Sequence, residues 1–221
     1  MFAVIFEVQP KEERFDDYLA LAKQLKPKLE AIDGFIDNDR FRNRRTPALL
    51  LSLSTWRDEK AVIRWRTHGE HHGVQEKGRF EIFRDYHLRV GEIVADSAPP
   101  EGLAVVQQRF DETSVGNGKA VTVSELTPNA SDKPASADLA SDLGLAKIGT
   151  DGVVDHQLFE SIYTPGKLLL LVSWQDAAAA ERWHPKAPAQ GTLRHRRVRV
   201  IRDYGMKDRR EAPQYYPDVA S

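Results

Sequence analysis

The feature that most constrains how this 221-residue chain can fold is a repeat of its own sequence at an offset of 118 residues. Aligned without gaps, residues 3–86 and 121–204 are identical at 24 of 84 positions, whereas unrelated segments of ordinary composition would match at about five. The matches include two tryptophans and an Arg-Asp-Tyr triplet: Trp56 with Trp174, Trp65 with Trp183, and 84–86 with 202–204. Such an excess at a fixed offset indicates an internal duplication, so we expect two copies of one structural unit.

Hydrophobic periodicity predicts the same order of elements, β-α-β-β-α-β, in both copies. In the first copy Asp58 is a candidate N-cap for the second helix, and Pro27 is expected to kink or end the first helix. The elements predicted for the first copy are strands over 2–8, 35–43, 49–54 and 80–93, a helix over 11–31, and a helix that begins over 59–66, is broken or bent at Gly69 and Gly73, and can resume through Gln75. Those predicted for the second copy are strands near 119–126, 153–161, 167–173 and 197–204, and helices near 135–147 and 176–184.

This order is that of the split-βαβ, ferredoxin-like unit, a four-stranded sheet with both helices on one face. The bare face of such a sheet must be covered, and two copies in one chain can cover each other. We therefore predict an α+β fold in which two tandem ferredoxin-like units pack sheet to sheet as an intramolecular α+β barrel. The predicted boundaries are 1–97 for the first unit, 98–117 for a linker whose apolar middle could add a strand to a sheet edge, 118–207 for the second unit and 208–221 for a C-terminal arm.

Composition narrows the range of functions. The chain has no cysteine, which excludes disulfides, thiolate metal sites and cysteine nucleophiles. A formal net charge of −1 gives no general attraction for nucleic acid or an anionic membrane. No apolar run approaches the roughly 20 residues needed to cross a bilayer, and the opening MFAVIFEVQP lacks the basic start of a signal peptide. The resulting expectation is a cytoplasmic protein that binds neither nucleic acid nor membrane.

The stretch LSTWRDEKAVIRWRTHGEHHGVQEKGRFEIFRDYHLRV joins two tryptophans nine residues apart to a group of histidines and a later tyrosine. This pattern resembles the antibiotic biosynthesis monooxygenase (ABM) family of the dimeric α+β barrel superfamily, over residues 1–95 and more faintly over 118–207. Family members usually dimerise to build the barrel. The duplication implies an intramolecular barrel here and leaves a homodimer of whole chains open. The resemblance also implies that the helical Trp65 lines a cavity.

Three histidines follow the second tryptophan and are the first candidates for chemistry. If the helix continues past Gly69, then His68, His71 and His72 lie at positions i, i+3 and i+4 on one helix face. Such a face can bind a metal, but no carboxylate signature accompanies it, so we predict no metal site. The alternatives are an exposed helix end, where histidine suits the helix dipole, and a substrate-pocket role for one of the three.

Trp56, Arg84 and Tyr86 all recur in the second copy. Recurrence favours a structural role for Trp56, since an indole can fill a helix–sheet interface. Arg84 and Tyr86 are two residues apart on the last strand, so their side chains are expected to point the same way. A guanidinium beside a phenol can bind a phenolate or carbonyl oxygen. An Asp–Arg clamp between strands explains the recurring triplet equally well.

Residues that differ between the copies are better functional candidates, because the fold does not require them. They are, with their counterparts, Asn43 (Ser161), His68 (Lys186), His71 (Ala189) and His72 (Gln190). The alternating Arg40, Arg42 and Arg44 also have no basic counterparts in the second copy. A row of arginines on one strand face is expected to be a solvated edge, or to receive an acidic substrate or acidic side chains across a protein interface.

The leading functional hypothesis follows from the resemblance: a monooxygenase that oxidises a polycyclic phenol or another aromatic or quinone-like small molecule without metal, flavin or other cofactor. An electron-rich phenolate can pass an electron to dioxygen, so the protein must deprotonate it, hold it and exclude water. A histidine with a pKa near neutrality, His71 or His72, would take the proton. The predicted site comprises His71, His72, Tyr86 and Arg84 in catalysis, and Trp65, His68, Asn43 and Phe6 in substrate binding.

Two alternatives stay open. A related branch of the same superfamily binds and degrades haem, using an Asn on the first strand and an axial His ten residues past the helical Trp. Here that position is Gln75, and the first strand has no Asn, so haem binding is the weaker alternative. The other alternative is a non-catalytic protein that binds a small molecule, since Pro185 and Pro188 already break the helix pattern of the second copy.

Overall fold

The computed structural model describes residues 1–129, 139–144, 152–188 and 190–217. The first half contains β1 (Phe2–Pro10), α1 (Phe15–Glu30), β2 (Phe35–Asn43), β3 (Leu50–Trp56), α2 (Glu59–Arg66), α3 (Gly69–Lys77) and β4 (Phe83–Asp96). The second half contains β5 (Ala120–Thr127), α4 (Leu139–Asp142), β6 (Val153–Ser161), β7 (Leu168–Trp174), α5 (Ala177–Arg182) and β8 (Thr192–Gly205). Among the helices in these ranges, none is both long enough and apolar enough to span a membrane.

The eight strands form a closed antiparallel barrel in the order β1-β3-β2-β6-β7-β5-β8-β4. Each half supplies four adjacent strands, and the halves join where β2 pairs with β6 and where β4 pairs with β8. The β4–β8 joint is the longer one and runs from the pair His87 and Gly205 to the pair Asp96 and Arg196. Closure leaves no unpaired sheet edge, and it confirms the predicted two-unit α+β barrel.

The duplication is visible in the strand registers. Phe2 opposes Trp56 in the first half, and Ala120 opposes Trp174 in the second half, at the predicted offset of 118 residues. The strands β2 and β6 are irregular at equivalent points, one residue after each begins. The first three strands of the two halves therefore pair in the same registers and share the same irregularity.

Each half also starts the helix after its third strand in the same way. The Asp58 carboxylate accepts a hydrogen bond from the Ala61 backbone N–H at 2.8 Å, and Asp176 accepts one from Ala179 at 2.7 Å. Such an N-cap stabilises a helix by about 1 kcal/mol. The helix approaches Gly34, which has a φ of +90° and whose missing Cβ would lie 2.7 Å from the Cβ of Ala61. Glycine is required there by both conformation and space.

The last strand of each half breaks the 118-residue offset. Phe6 opposes Leu88 in the first half, whereas its counterpart Ser124 opposes His195. The structural offset between β4 and β8 is therefore 107 residues. The two Arg-Asp-Tyr triplets consequently occupy different positions in their strands, and the prediction that they are equivalent is wrong.

The change of offset arises between the second helix and the last strand. In the first half α2 is followed by α3 and by a π-helical turn, Gly78–Ile82. In the second half α5 ends at Arg182, and the described residues between it and β8 contain no helix. Pro185 and Pro188 lack the N–H that a continuing helix would need. The second half therefore reaches its last strand after fewer residues.

Side chains that point into the barrel form one core shared by both halves. Its buried members are Met1, Ala3, Ile5, Phe41, Leu51, Leu53, Ile93, Val121, Val123, Phe159, Leu169, Leu171, Val198 and Val200. Leu103 and Val105, from the segment that connects the halves, pack against this core. That segment forms no strand, so the predicted extra strand is wrong, because the closed barrel offers no edge for it to join.

Some element boundaries differ from the predicted ones for local reasons. α1 continues through Pro27 to Glu30, and it is held there by the buried Leu25 and Leu29 on either side of the proline. The last strand of the first half begins at Phe83 because the residues before it form the π-helical turn. Most of the predicted helix 135–147 lies outside the described residues. Within the part that is described, Leu139–Asp142 are helical.

Candidate active-site cavity

A cavity of about 210 Å³ lies between the outer face of the first half's sheet and the helices α1, α2 and α3. Its floor consists of two rows of side chains in register across β2, β3, β1 and β4: Arg40, Ser52, Phe6 and Leu88, then Asn38, Ser54, Val4 and Val90. The floor is polar on β2 and β3 and apolar on β1 and β4. The cavity therefore has a polar end at β2 and an apolar end at β4.

The three helices give the cavity a mainly apolar wall. The wall residues include Leu21, Ala22, Leu25 and Leu29 from α1, Val62 and Trp65 from α2, and His71 and Val74 from α3. The α1 members recur at intervals of three and four residues, so they lie on one face of that helix. Burying this face against the sheet places the cavity outside the barrel, between the first half's sheet and its own helices.

Residues 206–217, which include the described part of the predicted C-terminal arm and which we call the arm from here on, close one side of the cavity. The arm residues that line it are Arg209, Gln214 and Tyr216. The arm is anchored by Glu211, whose carboxylate accepts hydrogen bonds from the Thr113 hydroxyl at 2.7 Å and from the Asp203 backbone N–H at 2.8 Å. The arm is thus part of the cavity in this structure.

Trp65 and His71 form a stacked pair on the cavity wall, with ring centroids 4.0 Å apart and ring planes inclined by 13°. The Nδ1 atom of His71 lies 2.9 Å from the Trp65 carbonyl oxygen. Since a carbonyl oxygen can only accept, Nδ1 carries the proton of the neutral ring and Nε2 keeps its lone pair. Burial lowers the pKa of His71 to about 4. The expected pKa near neutrality is therefore wrong for His71, which is uncharged at physiological pH.

Tyr86 lines the cavity, and its phenol oxygen lies next to two guanidinium groups. Arg209 Nη1 donates to this oxygen at 2.6 Å, and Arg79 Nη1 approaches it at 3.4 Å. Arg79 is itself fixed, because it donates to the Met206 carbonyl oxygen at 2.7 Å. The phenol of Tyr86 is thus held in place by two cations, Arg79 from the turn before β4 and Arg209 from the segment after β8.

Arg84, which was expected beside Tyr86, is exposed and does not line the cavity. The register between β1 and β4 shifts at Pro10, which opposes Phe83 and leaves Arg84 without a partner on β1. An extra residue of this kind breaks the alternation of side chains along a strand. Phe83 and Tyr86 both face the cavity, so the prediction that Arg84 and Tyr86 point the same way is wrong.

Arg40 lies at the polar end of the floor and is 9% exposed. Its Nη1 donates to the Tyr163 hydroxyl at 3.2 Å, and its Nε is buried without a partner among the described residues. Burial raises the pKa of the neighbouring Tyr18, although Arg40 acts in the opposite direction, so that phenol stays protonated. The other two arginines of the row, Arg42 and Arg44, are exposed.

The cavity has an excess of positive charge. Its charged lining residues are Lys26, Arg40, Arg66, Arg79, Arg202, Arg209 and Glu59. Glu59 is paired with Arg109 outside the cavity, and Lys26 is paired with Glu30. Within the described ranges the five lining arginines form no ion pair with Asp or Glu, and no group of three or more His, Cys, Asp or Glu could hold a metal ion. The cavity is therefore suited to an anion.

The structure brings together four of the eight predicted site residues around the cavity: Phe6, Trp65, His71 and Tyr86. The other four, which do not line it, are Asn43, His68, His72 and Arg84. Asn43 donates to Gln157 at 2.8 Å and accepts hydrogen bonds from the turn that follows β2. His72 faces the arm, where the Tyr216 hydroxyl lies 3.3 Å from its Nδ1. The His68 ring is tilted by 34° against the Trp65 ring, with ring centroids 5.9 Å apart.

Sequence reasoning missed several residues of the cavity. Arg79 lies in the π-helical turn, one residue before the strand predicted over 80–93. Arg209 and Tyr216 lie in the arm, which has no counterpart in the first copy to compare with it. The sequence DRREAPQYY did carry a signal, since a solvated tail has no need of adjacent tyrosines near a group of arginines.

Comparison with known proteins identifies the family. The family model for antibiotic biosynthesis monooxygenases matches residues 1–77, and the jasmonate monooxygenase ABM of Pyricularia oryzae is 42% identical over 225 residues that cover 100% of both chains. Two aldoxime dehydratase structures, the second in complex with butyraldoxime, share the fold at TM-scores of 0.56 and 0.53, with 13% and 11% identity over 90% of this chain and 81% and 79% of theirs. The full-length relative shows that this chain belongs to the antibiotic biosynthesis monooxygenase family and is a monooxygenase of that type.

Proposed function

We propose that this monooxygenase acts on a small, largely apolar carboxylic acid of the jasmonate class, bound in the cavity beside α1, α2 and α3. The observation that carries the proposal is the lining of that cavity, in which apolar side chains surround arginines that have no acidic partner among the described residues. The full-length fungal relative is named for jasmonate. Jasmonate joins a carboxylate to an alicyclic ketone and an alkenyl chain, so it has both the charge and the apolar surface that such a cavity suits.

Charge supports an anionic substrate over a neutral one. A buried guanidinium costs free energy unless an anion accompanies it. Arg40 and Arg79 are 9% and 2% exposed, and both face the cavity. A substrate carboxylate would supply the missing negative charge through charge-assisted hydrogen bonds. A neutral quinone would leave both cations uncompensated.

Size supports a small substrate over a polycyclic one. The cavity measures about 210 Å³, below the roughly 300–1,000 Å³ that is usual for pockets that hold drug-sized ligands. A single ring with one side chain fits this volume better than three or four fused rings. The polycyclic phenol or quinone expected from the family resemblance is therefore the weaker candidate.

The cavity residues have complementary roles in this proposal. Trp65 and Phe6 provide flat apolar faces that hold the substrate and exclude water. Tyr86 presents a phenol whose position is fixed by Arg79 and Arg209. His71 offers the free lone pair of Nε2 as a hydrogen-bond acceptor, and its low pKa makes it a weak base.

The electron balance distinguishes the two substrate classes. Monooxygenation places one atom of dioxygen in the product and reduces the other to water, which consumes two electrons and two protons. A phenolate or quinol can supply these electrons itself, so it needs no cofactor. A jasmonate-type acid has no electron-rich phenolate. The proposal therefore requires an external two-electron donor, such as a reduced flavin or a reduced nicotinamide.

The test is oxygen consumption by the purified chain with jasmonic acid, methyl jasmonate and a hydroxylated polycycle, each with and without a reduced flavin or NADPH. Because reduced flavin consumes dioxygen by itself, the deciding readout is the product: with jasmonic acid, a donor and ¹⁸O₂ we expect an enzyme-dependent product that contains one ¹⁸O atom. Uptake with the polycycle alone would overturn the proposed substrate class. Tight binding of jasmonic acid with no ¹⁸O-labelled product under any donor would favour the non-catalytic alternative.

A further inference from the structure

Arg40 differs from the other buried arginines on the barrel strands because it has no acidic partner among the described residues. Arg89 and Arg196, which point into the barrel, form ion pairs with Glu7 and Glu125 respectively. Arg40 points outward into the cavity and forms no ion pair with any described Asp or Glu, while its Nε has no described hydrogen-bond partner. The fold thus neutralises its inward arginines and leaves this one available.

The side chains next to Arg40 are polar; Tyr18 and Ser52 line the cavity with it, and Tyr163 contacts it from outside the lining. The guanidinium donates to the Tyr163 hydroxyl, which comes from the loop between β6 and β7 of the second half. The protonated Tyr18 phenol, on α1, lines the cavity and interacts with the same guanidinium. Ser52 is the next residue across the floor. These groups can hold both oxygens of a carboxylate, since a guanidinium donates in pairs and a phenol adds a third donor.

The arrangement also fixes the direction of the substrate. Beyond Ser52 the floor row continues with Phe6 and Leu88, so the apolar part of a bound acid would extend over β1 and β4. β2 and β4 are three strand spacings apart, or about 14 Å between backbones. This span accommodates the arginine side chain and a small acid between Arg40 and the end of the cavity that holds Tyr86.

We infer that Arg40, with the phenols of Tyr18 and Tyr163, is the receptor for the substrate carboxylate and sets the preference of the enzyme for acids over esters. The inference rests on the proposed function, because it concerns the same cavity and the same class of substrate. It also gives the second half of the chain a part in substrate recognition, since Tyr163 belongs to that half.

The experiment measures dissociation constants for jasmonic acid and methyl jasmonate by calorimetry, in the wild type and in Arg40→Gln, Arg40→Met and Tyr163→Phe. We expect the wild type to prefer the acid at least tenfold, because the ester has no charge for the guanidinium to pair with. Arg40→Gln and Arg40→Met should weaken acid binding by about 10- to 100-fold, as expected for a charged hydrogen-bonded pair, and leave ester binding within twofold. Tyr163→Phe should weaken acid binding about threefold.

The matched control is Arg42→Gln, which removes an exposed arginine two residues along the same strand, where it lies over the Phe15 ring. This variant should bind both compounds like the wild type. A wild type that binds neither compound would overturn the proposed function itself. A wild type that binds the acid, with an unchanged acid preference in Arg40→Gln, would overturn the inference and leave the proposed function standing. If neither Arg40 variant folds, the Tyr163→Phe measurement tests the inference instead. Tyr163 is 56% exposed, so its replacement by phenylalanine should leave the fold intact.

Discussion

The two halves of the barrel place equivalent tryptophans in opposite settings. Trp65 in the first half stacks on His71 and lines the cavity. Trp183 in the second half is 1% exposed and lies against Trp174, with ring centroids 5.7 Å apart. A residue that both copies share is therefore a cavity wall in one half and core in the other.

The backbone that follows each tryptophan explains the difference. Trp65 lies inside α2, and the chain continues into α3, which brings His71 against the indole. Trp183 comes just after α5 and is extended, with φ −92° and ψ 118°. Since the direction of a side chain depends on backbone conformation, the two indoles leave the chain differently. The segment that follows a repeated residue can therefore decide the role of that residue.

The largest effect is expected when each tryptophan is replaced by alanine. Trp183→Ala should lower the free energy of unfolding by about 3–5 kcal/mol, because it empties a fully buried site. Trp65→Ala should cost less than half as much, since this indole is partly exposed to the cavity, but it should lower kcat/KM for the acid more than tenfold. Urea denaturation and oxygen-uptake kinetics measure the two quantities.

The phenylalanine variants are the controls for size. Trp65→Phe and Trp183→Phe retain an aromatic ring, so each should recover part of the loss seen with alanine. Equal losses of unfolding free energy for the two alanine variants would contradict the comparison, because they would make Trp65 a core residue like Trp183.

A second, smaller effect concerns one histidine in each half. Burial lowers the pKa of His71 and of His195 to about 4, whereas an unfolded histidine titrates near 6.5. As the pH falls below about 6.5, these two histidines bind protons in the unfolded chain but stay uncharged in the folded chain. The stability present above pH 6.5 is therefore lost as the pH falls towards 4, by about 1.5 kcal/mol for each histidine between pH 6.5 and pH 5.

Urea denaturation at pH 6.5 and pH 5 tests this expectation. His71→Gln and His195→Gln should each reduce the difference between the two pH values by about 1.5 kcal/mol. Burial lowers the pKa of His87, but its hydrogen bonds to Asp203 and Glu7 outweigh this effect and raise the pKa to about 9. In the folded protein His87 therefore keeps its charge at both pH values. An unchanged difference in His71→Gln would mean that this imidazole is hydrated, and the cavity wall would then be open to water.

The sequence was sufficient to predict the barrel but only part of the site. The registers of β1, β3 and their copies follow from the offset of 118 residues, which periodicity and duplication make visible. Phe6 and Trp65 were predicted from the family resemblance, and His71 because its counterpart in the second copy is Ala189. Arg79 and Arg209 were not, since their position depends on a π-helical turn and on an arm that contacts α3 across the fold. Such contacts leave no periodic pattern in a single sequence.

The smallest effects are expected for Arg84 and Arg202, which the gap-free alignment pairs as equivalent residues. Arg84 is the unpaired residue of the bulge and is exposed, whereas Arg202 lines the cavity from β8. Arg84→Ala should change the free energy of unfolding by less than about 0.5 kcal/mol, as for most surface substitutions, and change kcat/KM by less than twofold. Arg202→Ala should raise KM for the acid several-fold, because it removes one of the cavity's cations. A tenfold loss of kcat/KM in Arg84→Ala would mean that the substrate reaches the outer side of the bulge. Arg84 and Tyr86 would then act together after all, and the boundary of the site would have to be moved to include the solvent-facing side of β4.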